Sequence, residues 1–283
     1  MISTIVNEKI LKNLYVRREN WTHKGQYGKV LIVGGSREFT GSTALVALAA
    51  LRTGADVTKI IAPKRAADTA ASFSPELIAI PIDRDYLDGD DYERVRAESE
   101  WASVVCVGNG LGVGEGQRRL VNDMADKINK TLIIDADGLK VLSRNKLRQN
   151  ILLTPNSNEF RILFGEMPPT DLEKRMKVVQ EKAKEFGTNI LLKGHVDIIS
   201  DGETILLNKT NSVYMTKGGT GDVLTGVCAG ILGQRGDILH SAAAAAFING
   251  YTGRREAKTK RESLSPMDIV NGIYETITKW RHQ

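Results

Sequence analysis

Cysteine is scarce in this chain: two residues, Cys106 and Cys228, are present among 283. Neither belongs to a Cys-x-x-Cys pair, and both stand in apolar surroundings, so we expect buried thiols in the reduced state. The four histidines are scattered along the sequence, at positions 23, 195, 240 and 282. Because no cluster of cysteine and histidine has the spacing of metal ligands, the sequence predicts no zinc site or other metal site made by side chains alone.

Long apolar runs are also missing. No stretch approaches the ~18 consecutive apolar residues of a membrane span. Charges are spread through the opening segment MISTIVNEKILKNLYVRREN, which therefore lacks the apolar core of a signal peptide. We expect a cytoplasmic protein without a membrane partner. No linker rich in proline, glycine and serine divides the sequence, so we predict a single α/β domain over residues 1–283.

Aromatic residues make up only 6% of the chain, and no strip interleaves them with basic residues. The formal net charge is +5 and the sequence pI is about 9.1. This mildly basic balance suits an anionic small molecule. A nucleic-acid partner is not expected, because stacking on bases needs exposed aromatic rings and phosphate binding needs a dense basic surface.

Short apolar runs rich in β-branched residues recur along the chain. They are KVLIVGG, DVTKIIAP, LIAIPI, WASVVCVGNG, TLIIDADG, NILLTPN and NILLKGHVDIIS. Segments of helical period lie between many of them, over residues 42–53, 117–127 and 171–186, and the pattern after Gly221 is helical. Continuous apolar strands that alternate with helices predict a mostly parallel sheet covered on both faces. The segment HVDIIS-DGE-TILLN predicts a hairpin that adds an antiparallel edge, with its turn at Asp201-Gly202.

Five of these strands end in glycine or polar residues. The endings are VGGS (33–36), VGNGLG (107–112), DADG (135–138), TPNSNE (154–159) and LKG (192–194). Ligands of open parallel sheets bind outside the carboxyl ends of the strands. We therefore expect these five segments to converge on one crevice.

The segment TKGGTGDVLTG, residues 216–226, predicts an anion site. A helix that begins near Asp222 leaves N–H groups unpaired and carries positive partial charge at that end. The glycines at 218, 219 and 221 let an anion approach the backbone, and Asp222 is placed to accept a proton during phosphoryl transfer. By spacing alone, a carboxylate at this place is equally typical of a simple helix cap. A cap does not need three glycines and a threonine before it, which favours the functional interpretation.

Two further strand ends leave alternatives open. Lys193 either contacts a nucleotide phosphate or is solvated at the end of its strand. Asp135 and Asp137 either position a metal or a phosphate-bound water, or cap the helix that follows Gly138. The segment TPNSNEF is typical of a helix cap with Glu159 at its third position. The phosphate-loop pattern GxxxxGK[ST] is absent, and GNGLGVGEG misses the spacing of a dinucleotide fingerprint.

The ordered set of motifs resembles the ADP/ATP-dependent NAD(P)H-hydrate dehydratases, the carbohydrate-kinase-like half of the YjeF family in the ribokinase-like superfamily. The resemblance runs from HKGQYGKVLIVGGS through VGNGLG, LIIDADGLKVL, LLTPNSNEF and LLKGHVDII to TKGGTGDVLTGVCAGIL and AAAAAFINGYTG. It implies a ribokinase-like three-layer α/β/α sandwich. Two motifs depart from the usual pattern: GNGLG has Asn109 where proline is usual, and TPNSNE has Asn156 where histidine is common.

The resemblance also implies roles for individual residues. The catalytic base would be Asp222, and the anion hole would consist of Gly219, Thr220 and Gly221. The adenine nucleotide would bind at Lys193, Gly194, His195, Val196, Asp197 and Gly221. The site for the hydrated nicotinamide would be formed by Asp222 together with Ala44, Gly112 and Asn156.

The implied activity is the dehydration of NADHX or NADPHX, reduced nicotinamide nucleotides hydrated on the ring, with ADP or ATP as phosphoryl donor and Mg²⁺ as cofactor. Phosphorylation would convert a poor leaving group, hydroxide, into phosphate. The resemblance favours ADP, a homo-oligomer (a tetramer before other states) and a separate NAD(P)HX epimerase as a functional partner. The alternative enzyme is a ribokinase-like kinase that phosphorylates a vitamin precursor or a sugar hydroxyl. A non-catalytic nucleotide-binding module is a further alternative, disfavoured because Asp222 and the glycines are intact.

Overall fold

The computed structural model describes residues 3–15, 18–234 and 236–281. Ten strands form one sheet in the order β1-β10-β9-β8-β7-β6-β5-β2-β3-β4. The strands are β1 (Thr4–Ile5), β2 (Lys29–Val33), β3 (Val57–Pro63), β4 (Ile78–Ile82), β5 (Val104–Val107), β6 (Thr131–Ile134), β7 (Ile151–Leu153), β8 (Asn189–Leu192), β9 (Asp197–Ser200) and β10 (Ile205–Asn208). The helices are α1 (Lys9–Leu14), α2 (Ser42–Arg52), α3 (Lys64–Phe73), α4 (Tyr92–Ser99), α5 (Glu115–Lys127), α6 (Asp137–Val141), α7 (Ser157–Phe164), α8 (Leu172–Phe186), α9 (Thr220–Leu232), α10 (Ile238–Lys260) and α11 (Pro266–Trp280).

The sheet is mostly parallel, as the sequence predicts. Strands β2 to β8 run in one direction, whereas β9 pairs antiparallel with both β8 and β10. The predicted hairpin joins β9 to β10, and the Asp201 carboxylate accepts hydrogen bonds from the N–H groups of Glu203 and Thr204 in its turn. Beyond the hairpin, the short strand β1 pairs parallel with β10. The antiparallel strand therefore lies just inside this edge of the sheet.

Two apolar layers lie on opposite faces of the sheet, because successive side chains of a strand point to opposite faces. Val30 and Ile32 of β2 join the first layer, and Leu31 and Val33 join the second. The first layer includes α2, α9, α10 and α11 and is rich in alanine. The second is built from larger side chains of α5, α7 and α8, including Leu, Met and Phe. The three-layer α/β/α sandwich is thereby confirmed.

Close helix packing fixes the position of α9. A Cβ atom added at Gly230 would lie 2.7 Å from the Ala50 carbonyl oxygen of α2, and one added at Gly226 would lie 2.7 Å from Ala49 Cβ. Real Cβ atoms do not come this close, so α9 packs against α2 at a distance that only glycine allows. This contact holds the beginning of α9 at the carboxyl ends of the central strands.

Every predicted apolar run contains a strand, and the run at 189–200 contains both β8 and β9. The three predicted helices are present with boundaries that differ by one or two residues, whereas several strands are shorter than their apolar runs because the polar ends of those runs form loops. The short elements β1 and α1, and the ten-residue helix α3, were not predicted from the sequence. No helix among the described residues is long and apolar enough to cross a membrane. Both cysteines are buried free thiols, as expected. His282 lies outside the described residues, and the single domain over residues 1–283 stays a prediction.

Candidate active site

The five polar strand endings converge at one edge of the sheet, as the sequence predicts. The N–H group of Gly35 donates to the Asn109 carbonyl oxygen at 2.9 Å, and the Asp135 N–H donates to the Val107 carbonyl oxygen at 3.1 Å. The Lys193 N–H donates to the Pro155 carbonyl oxygen at 2.8 Å. These backbone hydrogen bonds connect neighbouring loops, so the functional groups of the loops face one region.

Asp222 lies in the first turn of α9, and Asn109 Nδ2 donates a hydrogen bond of 2.7 Å to its Oδ1. The helix begins at Thr220 and its N-cap residue is Gly219, so the reading of Asp222 as a simple cap is wrong. Burial raises the pKa of Asp222 to about 6, and the nearby Asp135 charge adds to that rise, while Asn109 and Lys193 oppose it. A carboxylate with a pKa near the operating pH is suited to general base catalysis.

Asp135 follows β6 and is fully buried, at 1% exposure. Its Oδ1 accepts a hydrogen bond of 2.7 Å from Lys193 Nζ, and its Oδ2 accepts from Thr225 Oγ1 at 2.8 Å and Asn109 Nδ2 at 3.0 Å. Burial favours the neutral acid, but the Lys193 charge and the hydrogen bonds from Lys193 and Thr225 outweigh it and hold the pKa of Asp135 below its usual value. Asp135 is therefore ionised, and the reading of Lys193 as a solvated strand end is wrong.

Asp137 has a different role from its neighbour Asp135. Its Oδ2 accepts a hydrogen bond of 2.9 Å from the Gly112 N–H, and its Oδ1 pairs with Lys140 at 2.8 Å. The N-cap of α6 is Ala136, and the described residues contain no side-chain cap for this helix. Asp137 thus ties down the loop that carries Gly112, and the interpretation that Asp135 and Asp137 cap the following helix is wrong.

A pocket of about 630 Å³ opens beside the beginning of α9. Its lining residues are Asn156, Lys193, Gly194, His195, Asp197, Asn211, Ser212, Val213, Met215, Thr216, Lys217, Gly218, Thr220, Gly221, Leu224 and Asn249. Five of the six residues predicted to bind the nucleotide are among them. The sixth, Val196, packs against the apolar layer that contains α7 and α8.

Buried polar groups fix the shape of the pocket's 194–197 loop. Asp197 Oδ1 accepts from the Gly194 N–H at 3.0 Å, and its Oδ2 accepts from Asn208 Nδ2 at 2.9 Å. The Asn211 amide donates to the Gly194 carbonyl oxygen at 2.9 Å. Burial raises the pKa of Asp197 above its usual value despite these bonds. The Asp197 side chain therefore shapes the loop by turning toward the protein.

The predicted anion hole has the geometry of a helix N-terminus. Gly219 has a φ of 92°, a left-handed conformation that favours glycine. The Thr220 hydroxyl hydrogen-bonds to the carbonyl oxygens of Met215 and Lys217, each at 2.8 Å. Within the described part of the chain, the N–H groups of Gly221 and Asp222 have no backbone acceptor. Such N–H groups, together with the helix dipole, make an anion site.

The residues predicted to bind the hydrate do not share one cavity. Gly112 lies in a cleft of about 390 Å³ that is lined by Ser36, Glu38, Phe39, Tyr86, Gly112, Val113 and Gln117. Asn156 lines the larger pocket, where its side chain caps α7 in a capping box with Glu159. Ala44 is buried within α2 at 2% exposure. Asp222 is connected to both cavities. Its neighbour Gly221 lines the pocket, and Asn109, which donates a hydrogen bond to Asp222, lies in the loop that leads to Gly112.

No group of three or more His, Cys, Asp or Glu side chains in the described segments could hold a metal ion. This result does not conflict with Mg²⁺, which usually keeps several waters and binds one or two carboxylates plus substrate phosphates. The Glu159 carboxylate lies 3.6 Å from Lys193 Nζ, so it stands beside a residue that lines the pocket.

Sequence reasoning missed how the two carboxylates are connected. In the sequence, Asn109 stands out only as a departure from the usual motif, and Thr225 belongs to none of the predicted site residues. Thr225 stands three residues after Asp222 in a helix, a spacing that places both side chains on one face. That spacing was the available signal for Thr225, whereas the double contact of Asn109 depends on how two loops and the start of α9 pack together.

The sheet order, the helices on both faces and the glycine-rich start of α9 give the chain a ribokinase-like α/β fold. A crystal structure of the ADP/ATP-dependent NAD(P)H-hydrate dehydratase from Bacillus subtilis, co-crystallised with ATP and Mg²⁺, has the same fold, with a TM-score of 0.84. The alignment covers 99% of both chains at 23% sequence identity.

The model of the NAD(P)H-hydrate dehydratase family matches residues 30–275, and the chain belongs to this family. The ADP-dependent (S)-NAD(P)H-hydrate dehydratase of Nitrosopumilus maritimus is 38% identical over 93% of each chain. The bifunctional NAD(P)H-hydrate repair enzyme Nnr of Pyrobaculum aerophilum is 39% identical over 94% of this chain. The chain spans 53% of that enzyme's length, about half of it.

Proposed function

We propose that the protein is an ADP-dependent (S)-NAD(P)H-hydrate dehydratase, a lyase that restores NADH or NADPH from the hydrated form and releases AMP and phosphate. One observation carries this proposal: the Asp222 carboxylate stands in the first turn of α9, beside two N–H groups without a backbone acceptor in the described chain and next to a large pocket. A base next to an anion site is the arrangement that phosphoryl transfer to a hydroxyl requires.

The larger pocket would hold the adenine nucleotide. Its end near Lys193 and Gly221 offers positive charge and the α9 N-terminus to the phosphates. Its other lining residues include the apolar side chains Val213, Met215 and Leu224, which suit a base ring. Asn249 also lines the pocket, is 6% exposed, and has an Oδ1 atom with no hydrogen-bond partner in the described residues. A buried amide of this kind is suited to hydrogen-bond an adenine edge.

Asp222 would accept the proton of the hydrate's hydroxyl group while that oxygen attacks the terminal phosphorus of the donor. The bond from this phosphorus to the bridging oxygen breaks, so ADP leaves AMP and the hydrate becomes a phosphate ester. The ring nitrogen's electron pair then expels phosphate, and loss of a proton from the neighbouring ring carbon restores the double bond. A kinase-like step would thus produce a net dehydration.

Several groups would stabilise the transferring phosphoryl group. The N–H groups of Gly221 and Asp222 point from a helix N-terminus, where developing negative charge is favoured. Mg²⁺, held mainly by the donor's phosphates with Glu159 nearby, would neutralise phosphate charge when bound. Lys193 would keep Asp135 ionised and leave Asp222 as the carboxylate able to exchange a proton at neutral pH.

The wider biological setting belongs to the same proposal. We place the enzyme in the cytoplasm, as a homo-oligomer with a tetramer favoured, acting together with a separate NAD(P)HX epimerase. Bifunctional relatives, whose length is about twice that of this chain, support the pairing with a second repair activity.

The test is to incubate the purified protein with NADHX and Mg²⁺, with ADP in one series and ATP in another, and follow the reduced-nicotinamide absorbance. Recovery with ADP, and its loss in Asp222→Asn, is the expected result. Recovery with ATP alone would support the dehydratase activity and would show that the phosphoryl donor is ATP and not ADP. No recovery with either donor would contradict the proposal and favour the small-molecule kinase, which would accumulate a phosphorylated product.

A further inference from the structure

Asn109 is the residue that connects the two carboxylates of the site. It follows β5 in the loop GNGLG and is 1% exposed. Its Nδ2 atom donates to Asp222 Oδ1 at 2.7 Å and to Asp135 Oδ2 at 3.0 Å. One amide group thus uses both of its hydrogens on carboxylate oxygens that belong to different parts of the fold.

The orientation of this amide is fixed by its surroundings. An ionised carboxylate accepts hydrogen bonds and cannot donate them. If the amide were flipped, Oδ1 would face two acceptors and both contacts would become repulsive. In the present orientation Oδ1 is buried without a hydrogen-bond partner among the described residues. A buried acceptor without a partner is unfavourable. The orientation that allows the two Nδ2 contacts therefore carries a free-energy penalty at Oδ1.

Asp222 has few other groups that favour its charged form. The ionisable side chains that act on it are Asp135, which opposes ionisation, and Lys193, which favours it. Lys193 Nζ is bonded directly to Asp135 at 2.7 Å, so its charge is largely engaged there. The Ser42 hydroxyl contributes less than Asn109. Among the side chains that act on Asp222, Asn109 therefore favours its ionised form most strongly.

We propose that Asn109 is a positioning residue that holds the Asp222 carboxylate toward the substrate and stabilises its charged form. This inference rests on the proposed role of Asp222 as the base. Proline, which the resemblance gives as usual at this place, has no side-chain donor and could not make either contact. The Asp135 contact engages the second hydrogen of the same Nδ2 group, so the amide cannot rotate away without losing both hydrogen bonds.

The test is a direct titration of Asp222 by NMR, with ¹³C label in the aspartate carboxyl groups and Asp222→Asn to assign the signal. In Asn109→Leu, which keeps the approximate size and removes the donor, we expect the titration midpoint of Asp222 to rise by about one pH unit. The acid limb of the kcat/KM profile for the hydrate should move upward by the same amount. A fall in stability alone would not support the proposal, because any buried amide contributes to stability.

Asn122→Leu is the matched control. This asparagine also bridges parts of the backbone, donating to the Val141 carbonyl oxygen and accepting from the Ser143 N–H, but it lies away from Asp222. Its loss should lower stability and leave the Asp222 midpoint unchanged. Asn109→Ala provides a second donor-free variant if Asn109→Leu does not fold.

The outcomes separate this inference from the proposed function. An unchanged Asp222 midpoint in a folded Asn109 variant would overturn the inference even if the enzyme dehydrates NADHX normally. A shifted midpoint in a protein that fails to restore NADH would support the link between Asn109 and Asp222 and contradict the dehydratase proposal.

Discussion

Asp135 and Asp222 share one amide group and differ in almost everything else. Asp135 is fully buried and accepts from Lys193, Thr225 and Asn109. Asp222 is less buried and accepts from Asn109 Nδ2 at 2.7 Å, with a smaller contribution from the Ser42 hydroxyl. The pKa of Asp135 lies below its usual value, whereas burial raises the pKa of Asp222 to about 6.

The difference separates structural from chemical roles. A carboxylate that is satisfied by a lysine and two neutral donors stabilises the fold in its charged form. A carboxylate that is buried with few donors destabilises the fold when charged, and it is correspondingly ready to take a proton. Pairs of acids whose environments move their pKa values apart are typical of sites that use one of them in proton transfer.

The largest effect should follow Asp222→Asn. Loss of the base should lower kcat by roughly 10²–10⁴-fold. The same change removes a charge that burial disfavours, so the free energy of unfolding at pH 7 should rise by on the order of 1–3 kcal/mol. Steady-state kinetics and urea unfolding measure the two quantities. An active Asp222→Asn enzyme would contradict the assignment of the base.

Asp135→Asn should have the opposite effect on stability. The substitution leaves Lys193 without its main partner, and breaking a buried ion pair in this way costs about 3–5 kcal/mol. Urea unfolding of this variant beside Asp222→Asn checks the contrast directly. Equal changes in stability for the two variants would show that the environments of the two carboxylates are not distinct.

Two adjacent glycines give a matched pair at the start of α9. A Cβ atom at Gly219 would lie 2.8 Å from Pro266 Cγ and 2.9 Å from Leu45 Cδ1, in a backbone with φ of 92°. Gly219→Ala should therefore lower the free energy of unfolding by about 1–3 kcal/mol. A Cβ atom at Gly218 would meet nothing within 4 Å, so Gly218→Ala should leave stability nearly unchanged. Equal losses in the two variants would refute the close contact at Gly219.

The smallest effect is a pH dependence. Since Asp222 must be unprotonated to act, kcat/KM should fall tenfold per pH unit below a midpoint at about pH 6. The stability contributions of the two acids have opposite signs. Asp222, with a raised pKa, makes the fold less stable as the pH rises from its unfolded value of 3.8 to about 6. Asp135, with a lowered pKa, contributes stability that is lost as the pH falls through its folded value. If the residual kcat/KM of Asp222→Asn fell at low pH with the same midpoint, the titration would belong to another group.

The fold was predictable because its signals are local. Each buried parallel strand is a short apolar run, and each of the long helices has an apolar period that is visible in the sequence. The convergence of five strand ends followed from parallel topology alone. The position of Asp222 was also predictable, since three glycines before a carboxylate are more than a helix cap needs.

The connections within the site were not predictable in the same way. Lys193 is a strand-end lysine in the sequence, and its bond to Asp135 depends on the pairing of β6, β7 and β8. Asn109 could be noticed as an unusual residue, but its two partners, Asp135 and Asp222, are 26 and 113 residues away along the chain. Contacts between distant segments are set by packing, which a single sequence does not show.

The most direct test of the account is the fate of the hydrate's own oxygen. NADHX that carries ¹⁸O in its ring hydroxyl would be converted with unlabelled ADP, and the released phosphate would be examined by mass spectrometry. Transfer of the terminal phosphoryl group to that hydroxyl predicts one ¹⁸O atom in each phosphate. Label found in water, with unlabelled phosphate, would mean that the hydroxyl leaves without being phosphorylated, and it would contradict the kinase-like step on which the account depends.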